Sequence, residues 1–253
     1  MAGAGAMSGL LTTLTVEPPG VALLTMHDVD RKNALTIAMV EELEQQCATV
    51  SRDEGVKALI LAGLDDYFST GANRDVIDQL IAGRASPRDL LLPRVLLDVP
   101  VPVIAAMAGH AVGGGLALGI CADLTLIARE SRYGATFMRY GFTPGLGLTS
   151  LLEQVLGVPL AHEMLLTGQT YRGSRLDGRG FNYVLPRSDV LAKARHLAAV
   201  IAEKPRRALV ALKVSLSAPK RARFEAARGT ETLMHEITFA TPDVRQLIDE
   251  LLD

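Results

Sequence analysis

An α/β fold follows from three features of the chain. Strand-like and helix-like patterns alternate up to about residue 148, two apolar runs flank the turn signal PPG as in a hairpin, and helical periodicity dominates the last third. LLTTLTVE and VALLTM are the arms of that hairpin. NALTIAMVEELEQQCATV then has helical spacing, with Ala38, Leu43 and Cys47 expected inward. KALILAG reads as a buried strand, and DYFSTGANRDVIDQLIAG passes through a glycine turn into a helix. PVPVIAAMAG is a second buried strand, and its glycine leads into GHAVGGGLALGICADLTL; DLTLIARE is a third. Farther on, LTSLLEQVLG, PLAHEMLLTG, DVLAKARHLAAVIAEK and RRALVALKVSLS read as helices, as does a last segment from about Arg221 towards Leu252. The expected division is a flexible N-terminus over residues 1–9, a core over 10–190 and a helical C-terminal region over 191–253.

A chain of 253 residues with 49% hydrophobic and 21% charged residues is long enough to bury a large core without disulfides or metals. Its net charge of -2 gives no basic field for nucleic acid or an anionic membrane, so neither is expected as a partner. MAGAGAMSGL lacks the basic and apolar regions of a secretory signal, and no run of apolar residues spans a bilayer; a cytoplasmic protein is expected. Cys47 and Cys121 stand outside any CxxC spacing and read as buried thiols. No metal-ligand cluster or redox motif stands out, so no metal or other cofactor is expected.

Two strand-to-helix junctions carry the functional signal: FSTGAN, residues 68–73, and GHAVGGG, residues 109–115. A turn that opens a helix leaves backbone N–H groups without intrahelical partners and adds the positive end of the helix dipole. Two such turns facing one another make an oxyanion hole, and glycine lets the backbone approach the ligand. By itself GGG is equally compatible with close helix–strand packing. A dinucleotide loop fits poorly, because the spacing is not GxGxxG and Asp123 follows too closely to reach a ribose.

The set FSTGAN, PVIAAMAGHAVGGGLALGICADLTLIA and GFTPGLGLT, with the earlier DVDRKNAL, resembles the crotonase, or enoyl-CoA hydratase and isomerase, superfamily from about residue 10 onward. The resemblance implies a spiral of ββα repeats, a helical C-terminal region used for trimerisation, and acyl thioester substrates. It places the two N–H donors to the thioester carbonyl at Ala72 and Gly114. Similar hydratases carry two glutamates at positions that here are Ala117 and Phe137, and neither residue moves a proton. An oxyanion hole without them suits a substrate that supplies its own electron pair, as a decarboxylating one does.

SRYGATFMRYGFTPGLGLTSLL and ETLMHEITFATPDVRQLI are similar to the decarboxylating second hydratase-like enzymes of polyketide β-branching cassettes. That resemblance implies a 3-methylglutaconyl substrate on the phosphopantetheine of an acyl carrier protein, or on CoA, and a homotrimer or dimer of trimers. It implies a proton-donating role for His235, which periodicity alone would leave on a solvated helix face. These enzymes also use a lysine after the first oxyanion motif, yet this chain has none between Lys57 and Lys193. Arg84 is the nearest candidate cation, as a holder of the leaving carboxylate. Phe137, Tyr140 and Tyr133 are candidate pocket residues, with core packing as the alternative, and His110 reads as structural. Two other functions stay open: an isomerase or hydratase with atypical acid and base groups, and a non-catalytic thioester-binding protein.

Overall fold

In the computed structural model, which describes residues 10–84 and 92–251, the chain winds as a spiral. The flexible N-terminus expected over residues 1–9 lies outside the described residues. β1 (Thr12–Glu17) and β2 (Val21–Met26) form the antiparallel hairpin, closed by Gly20 N–H donating to Glu17 O at 2.9 Å. α1 (Ile37–Arg52) follows, its N-terminus capped by the Thr36 hydroxyl. Each further pass lays down two strands and then helix. β3 (Ala58–Ala62) and β4 (Tyr67–Ser69) lead to α2 (Arg74–Ile81) and α3 (Leu92–Asp98); β5 (Val103–Met107) and β6 (His110–Val112) lead to α4 (Gly114–Ile120). β7 (Leu124–Ala128) and β8 (Arg132–Gly134) lead to α5 (Leu148–Leu156) and α6 (Val158–Thr167). The last pass supplies β9 (Thr170–Arg172) and β10 (Tyr183–Leu185), then α7 (Arg187–Ala202), α8 (Arg206–Phe239) and α9 (Pro242–Leu251).

The strands sort into two sheets, β1-β2-β3-β5-β7-β10 and β4-β6-β8-β9, parallel except for β1 with β2 and β8 with β9. β3 and β5 are buried at every position, so both read as unbroken apolar runs. Side chains alternate between two faces. Leu59, Leu61, Val103 and Ala105 join the core that includes α1 and α4, while Ala58, Ile60, Ile104 and Ala106 meet Val190, Ala194 and Ala198 of α7. A cut at residue 190 would therefore divide a helix that lies against the main sheet.

Three sequence expectations change. Ala38 is exposed, and Met39 takes its place on the buried face of α1 with Leu43, Cys47 and Val50, one residue out of the expected phase. β9 and β10 add strands in the region expected to be helical, and three-residue strands are too short to display an alternation. The two segments expected on either side of Pro219 are one helix, α8, and the chain breaks instead before α9. An interior proline costs about 3 kcal/mol, but α8 is pinned on both sides of it. Lys213 pairs with Asp123 at 2.6 Å, Lys220 donates to Ile120 O at 2.9 Å and Ala122 O at 2.6 Å, and Arg221 donates to Leu97 O at 2.7 Å. Asp123 also accepts from Val103 N–H at 2.7 Å, which ties the end of α4 to β5. Burial pushes the thiols of Cys47 and Cys121 up to about 12, so neither is a nucleophile near neutral pH.

Candidate active site

The first glycine turn is set by Asn33, which is fully buried. Its side-chain amide donates to Met26 O, Tyr67 O and Phe68 O, and its oxygen accepts from Asp28 N–H at 2.8 Å. These bonds fasten the end of β2 to β4, from which the chain runs through Gly71 and Ala72 into α2. Asn73 caps α2 by accepting from Val76 N–H.

In the second turn the glycines have separate tasks. Gly113 adopts φ 52°, a left-handed conformation that disfavours any side chain. A Cβ on Gly115 would stand 2.4 Å from Ser69 O, so α4 lies directly on the end of β4. The two turns touch: a Cβ on Gly71 would be 2.9 Å from Gly114 N, and one on Gly114 would be 3.7 Å from Gly71 Cα. Among the described residues, neither Ala72 N–H nor Gly114 N–H donates a hydrogen bond.

Both turns line one cavity. Val76, Ile77 and Leu80 of α2 form an apolar side with Leu35, Val40, Phe137, Phe142 and Leu146. α8 brings Phe224, Arg228, Glu231, Thr232 and His235, and Phe239 closes the end. The structure thus brings together Ala72, Gly114, Phe137 and His235. Arg84 is exposed at the end of α2 and is not among the lining residues; the residues after it, 85–91, lie outside the described ones. Tyr140 stacks on Phe142, the ring centroids 6.2 Å apart, and is not itself among the lining residues. Tyr133 is fully buried away from the cavity, donating to Met107 O at 2.7 Å and accepting from Ala128 N–H at 2.8 Å. His110 also lies elsewhere, its Nδ1 accepting from Arg132 N–H at 2.9 Å.

His235 is 6% exposed, not the solvated surface residue that periodicity alone suggests. Its Nε2 meets Thr143 O at 2.7 Å, so Nε2 carries the hydrogen and donates. Nδ1 is buried with no partner among the described residues. A Cβ on Gly145 would be 2.4 Å from Cε1, and the rings of Phe142 and Phe239 stand 6.2 Å and 5.2 Å away. Burial holds the imidazole below its ordinary 6.5, opposed in part by the Thr143 carbonyl and the Glu231 charge. At neutral pH the ring is neutral.

Glu231, one helical turn earlier, is 2% exposed. Its carboxylate accepts from Gly147 N–H at 2.7 Å, Thr149 N–H at 3.0 Å and Thr149 Oγ at 2.6 Å, which caps α5. These bonds also hold Leu146, a lining residue at φ 62°. Sequence reasoning singled out His235 and passed over Glu231 and Arg228. The signal was present: Arg228, Glu231, Thr232 and His235 recur at helical spacing as a polar stripe along one face of α8.

Among the described residues no group of His, Cys, Asp or Glu could hold a metal ion, and no helix is long and apolar enough to cross a membrane. Residues 17–251 match the model of the enoyl-CoA hydratase/isomerase family. The chain belongs to that family. Among the family's curated members, the bacillaene synthase decarboxylase PksI of Bacillus subtilis (strain 168) is 41% identical over 227 residues, covering 89% of this chain and 91% of the relative. The ECH2 decarboxylase domain of CurF from Lyngbya majuscula superposes with a TM-score of 0.88 at 39% identity, covering 95% of this chain and 98% of the other. A chain from a dehydratase/decarboxylase enzyme couple involved in polyketide beta-branching superposes with a TM-score of 0.92 at 39% identity, covering 95% of this chain and 96% of the other.

Proposed function

We propose that this protein decarboxylates a 3-methylglutaconyl-type thioester carried on an acyl carrier protein, in polyketide β-branching. One observation carries the reading: two turns with undonated N–H groups share a cavity with a buried histidine. The resemblance to hydratases adds that alanine and phenylalanine, at 117 and 137, stand where those enzymes carry their glutamates. The decarboxylase names of the relatives support the same choice of reaction.

The thioester carbonyl oxygen accepts from Ala72 N–H and Gly114 N–H. The bond to the departing carboxylate breaks, its electron pair moves through the conjugated chain, and the carbonyl oxygen takes up negative charge as a dienolate. One such donor is worth about 3 kcal/mol in the barrier. Carbon dioxide leaves as a neutral molecule, which the Phe137, Phe142 and Phe239 rings favour over the charged carboxylate. An approaching carboxylate raises the proton affinity of His235, so the ring is charged as substrate binds and gives its proton to the dienolate carbon. One proton enters and one carbon dioxide departs. No electron acceptor is needed, and phosphopantetheine serves as the handle.

The same reading makes the protein a cytoplasmic homotrimer or dimer of trimers, with a C-terminal helical region over 191–253 as the assembly element. The exposed Leu212, Val214 and Leu216 of α8 supply apolar area for such contacts.

The test is mass spectrometry of carrier-bound 3-methylglutaconyl thioester after incubation with the protein. Loss of the mass of carbon dioxide is expected. An unchanged acyl group would overturn the reading in favour of a binding protein, and a gain of the mass of water would make it a hydratase.

A further inference from the structure

We infer that Glu231 of α8 is a positioning residue: through the segment 143–149 it holds the turn at Gly114 and the imidazole of His235 in fixed relation, and so sets which carbon of the dienolate receives the proton. The inference deepens the decarboxylase reading and rests on it for the two groups that are aligned. The segment 143–149 touches both of them. At one end Thr143 O accepts from His235 Nε2 at 2.7 Å, and Gly145 lies so close to the ring that a Cβ on it would stand 2.4 Å from Cε1. In the middle Leu146 lines the cavity, with its Cδ1 3.2 Å from where a Cβ on Gly114 would be. At the other end Gly147 N–H, Thr149 N–H and Thr149 Oγ all donate to the Glu231 carboxylate. One short segment therefore connects the proton donor, the oxyanion turn and Glu231.

The segment needs outside support to keep this shape. Leu146 has φ 62°, a left-handed conformation in which a leucine is strained, and Gly147 follows at φ 79°; such backbone persists only where its surroundings hold it. Gly147 stands at the start of α5 and has no side chain to cap it, so the helix end takes its cap from another element. Glu231 supplies that cap from a buried position, and bonds from N–H to a carboxylate are stronger than bonds to a neutral oxygen. Glu231 and His235 are one turn apart on α8, about 6 Å along its axis. A single helix thus carries the proton donor and the anchor of the segment beside it. Misplacing reacting groups by about 1 Å costs about a hundredfold, and two carbons of the dienolate compete for one proton. The placement of the ring relative to the bound carbonyl oxygen decides between them.

The experiment follows deuterium entry from deuterium oxide into 3-methylcrotonyl-pantetheine, whose acyl group has hydrogen in place of the terminal carboxylate, by nuclear magnetic resonance. Neutral His235 takes a proton from the γ-carbon, the electron pair passes to the carbonyl oxygen, and a deuteron returns from the ring to the γ- or the α-carbon. Exchange therefore reads the same two groups without loss of carbon dioxide. Wild type should label chiefly one carbon. Glu231→Gln, which keeps the size but turns an amide N–H towards one of the three donors, should slow exchange by about tenfold to a hundredfold, leave its KM within about twofold and label both carbons. Thr149→Val deletes one bond and keeps the Glu231 charge that raises the proton affinity of His235, so it should fall between the two in rate and in labelling, and it decides the matter if Glu231→Gln does not fold. A residue that only stabilises the fold changes the folded fraction and not the ratio of the two labels. An unchanged ratio in the folded variants would overturn the inference, and so would a wild type that exchanges no hydrogen. The decarboxylase reading fails separately: exchange that depends on Glu231, in a protein that releases no carbon dioxide from the 3-methylglutaconyl thioester, keeps the positioning role and loses the reaction.

Discussion

The cavity side built by the first glycine turn and α2 offers backbone N–H at Ala72 and then only Val76, Ile77 and Leu80, whereas α8 brings Arg228, Glu231, Thr232 and His235. The first contribution comes from one short stretch of sequence, fastened from outside by the Asn33 amide. The second comes from a helix whose polar face is buried by elements far away in the chain, with Glu231 on the cap of α5 and His235 on Thr143 O. Polarisation of a carbonyl needs only correctly aimed backbone, so it can be encoded locally. Holding a carboxylate and moving a proton need side chains whose charge is tuned by burial, and burial is a property of the whole fold.

Loading the backbone side should have the largest effect. In Gly114→Val the new Cβ would meet Leu35 Cδ1 at 3.0 Å and Leu146 Cδ1 at 3.2 Å, and the methyls beyond it would occupy the space of the thioester oxygen. Turnover of the carrier-bound substrate should fall by about a hundredfold or more, and Ala72→Pro, which deletes the other donor, should do the same. Far-ultraviolet circular dichroism checks that the fold survives. Full activity in either variant would remove that N–H from the mechanism.

Damage to the α8 side should be milder and should change the product as well as the rate. His235→Ala keeps both N–H donors, so carbon dioxide loss should persist, slowed by less than in either backbone variant. Water then delivers the proton, and the double bond should appear in both positions. Nuclear magnetic resonance of the released acyl group reads the mixture. A variant that matches wild type in rate and in double-bond position would show that His235 moves no proton.

The same contrast explains what was legible in the sequence. FSTGAN and GHAVGGG announced their turns because glycine is demanded by backbone geometry, at Gly113 by a positive φ and at Gly115 by the close Ser69 carbonyl. β3 and β5 were readable because burial on both faces leaves unbroken apolar runs. By contrast, β6, β8, β9 and β10 have three residues each and exist through their neighbours' hydrogen bonds more than through their own pattern. The continuity of α8 past Pro219 depends on Lys213, Lys220 and Arg221 reaching partners about a hundred residues away, which local propensity cannot anticipate. Glu231 was passed over for the same reason: its partners, Gly147 and Thr149, lie about eighty residues away.

The smallest expected effect is on stability, and it tests whether His235 is buried as a neutral ring. Burial lowers its proton affinity in the folded protein below the ordinary 6.5, so below that value the unfolded chain binds the proton more readily than the folded one. Stability should therefore rise with pH through the window just below 6.5 and be lost as pH falls into it. Wherever the two states differ by one proton, a pH unit changes stability by about 1.4 kcal/mol. His110 is shifted in the same direction, mainly by burial, and adds its own slope, so the informative quantity is a difference. Urea unfolding of wild type and His235→Gln at about pH 5 and about pH 7.5 supplies it. The variant should lose less stability on acidification, because glutamine has no proton to gain. Equal losses in the two proteins would mean that His235 titrates alike in both states, and the α8 side would then lack the buried, neutral imidazole on which its proton transfer depends.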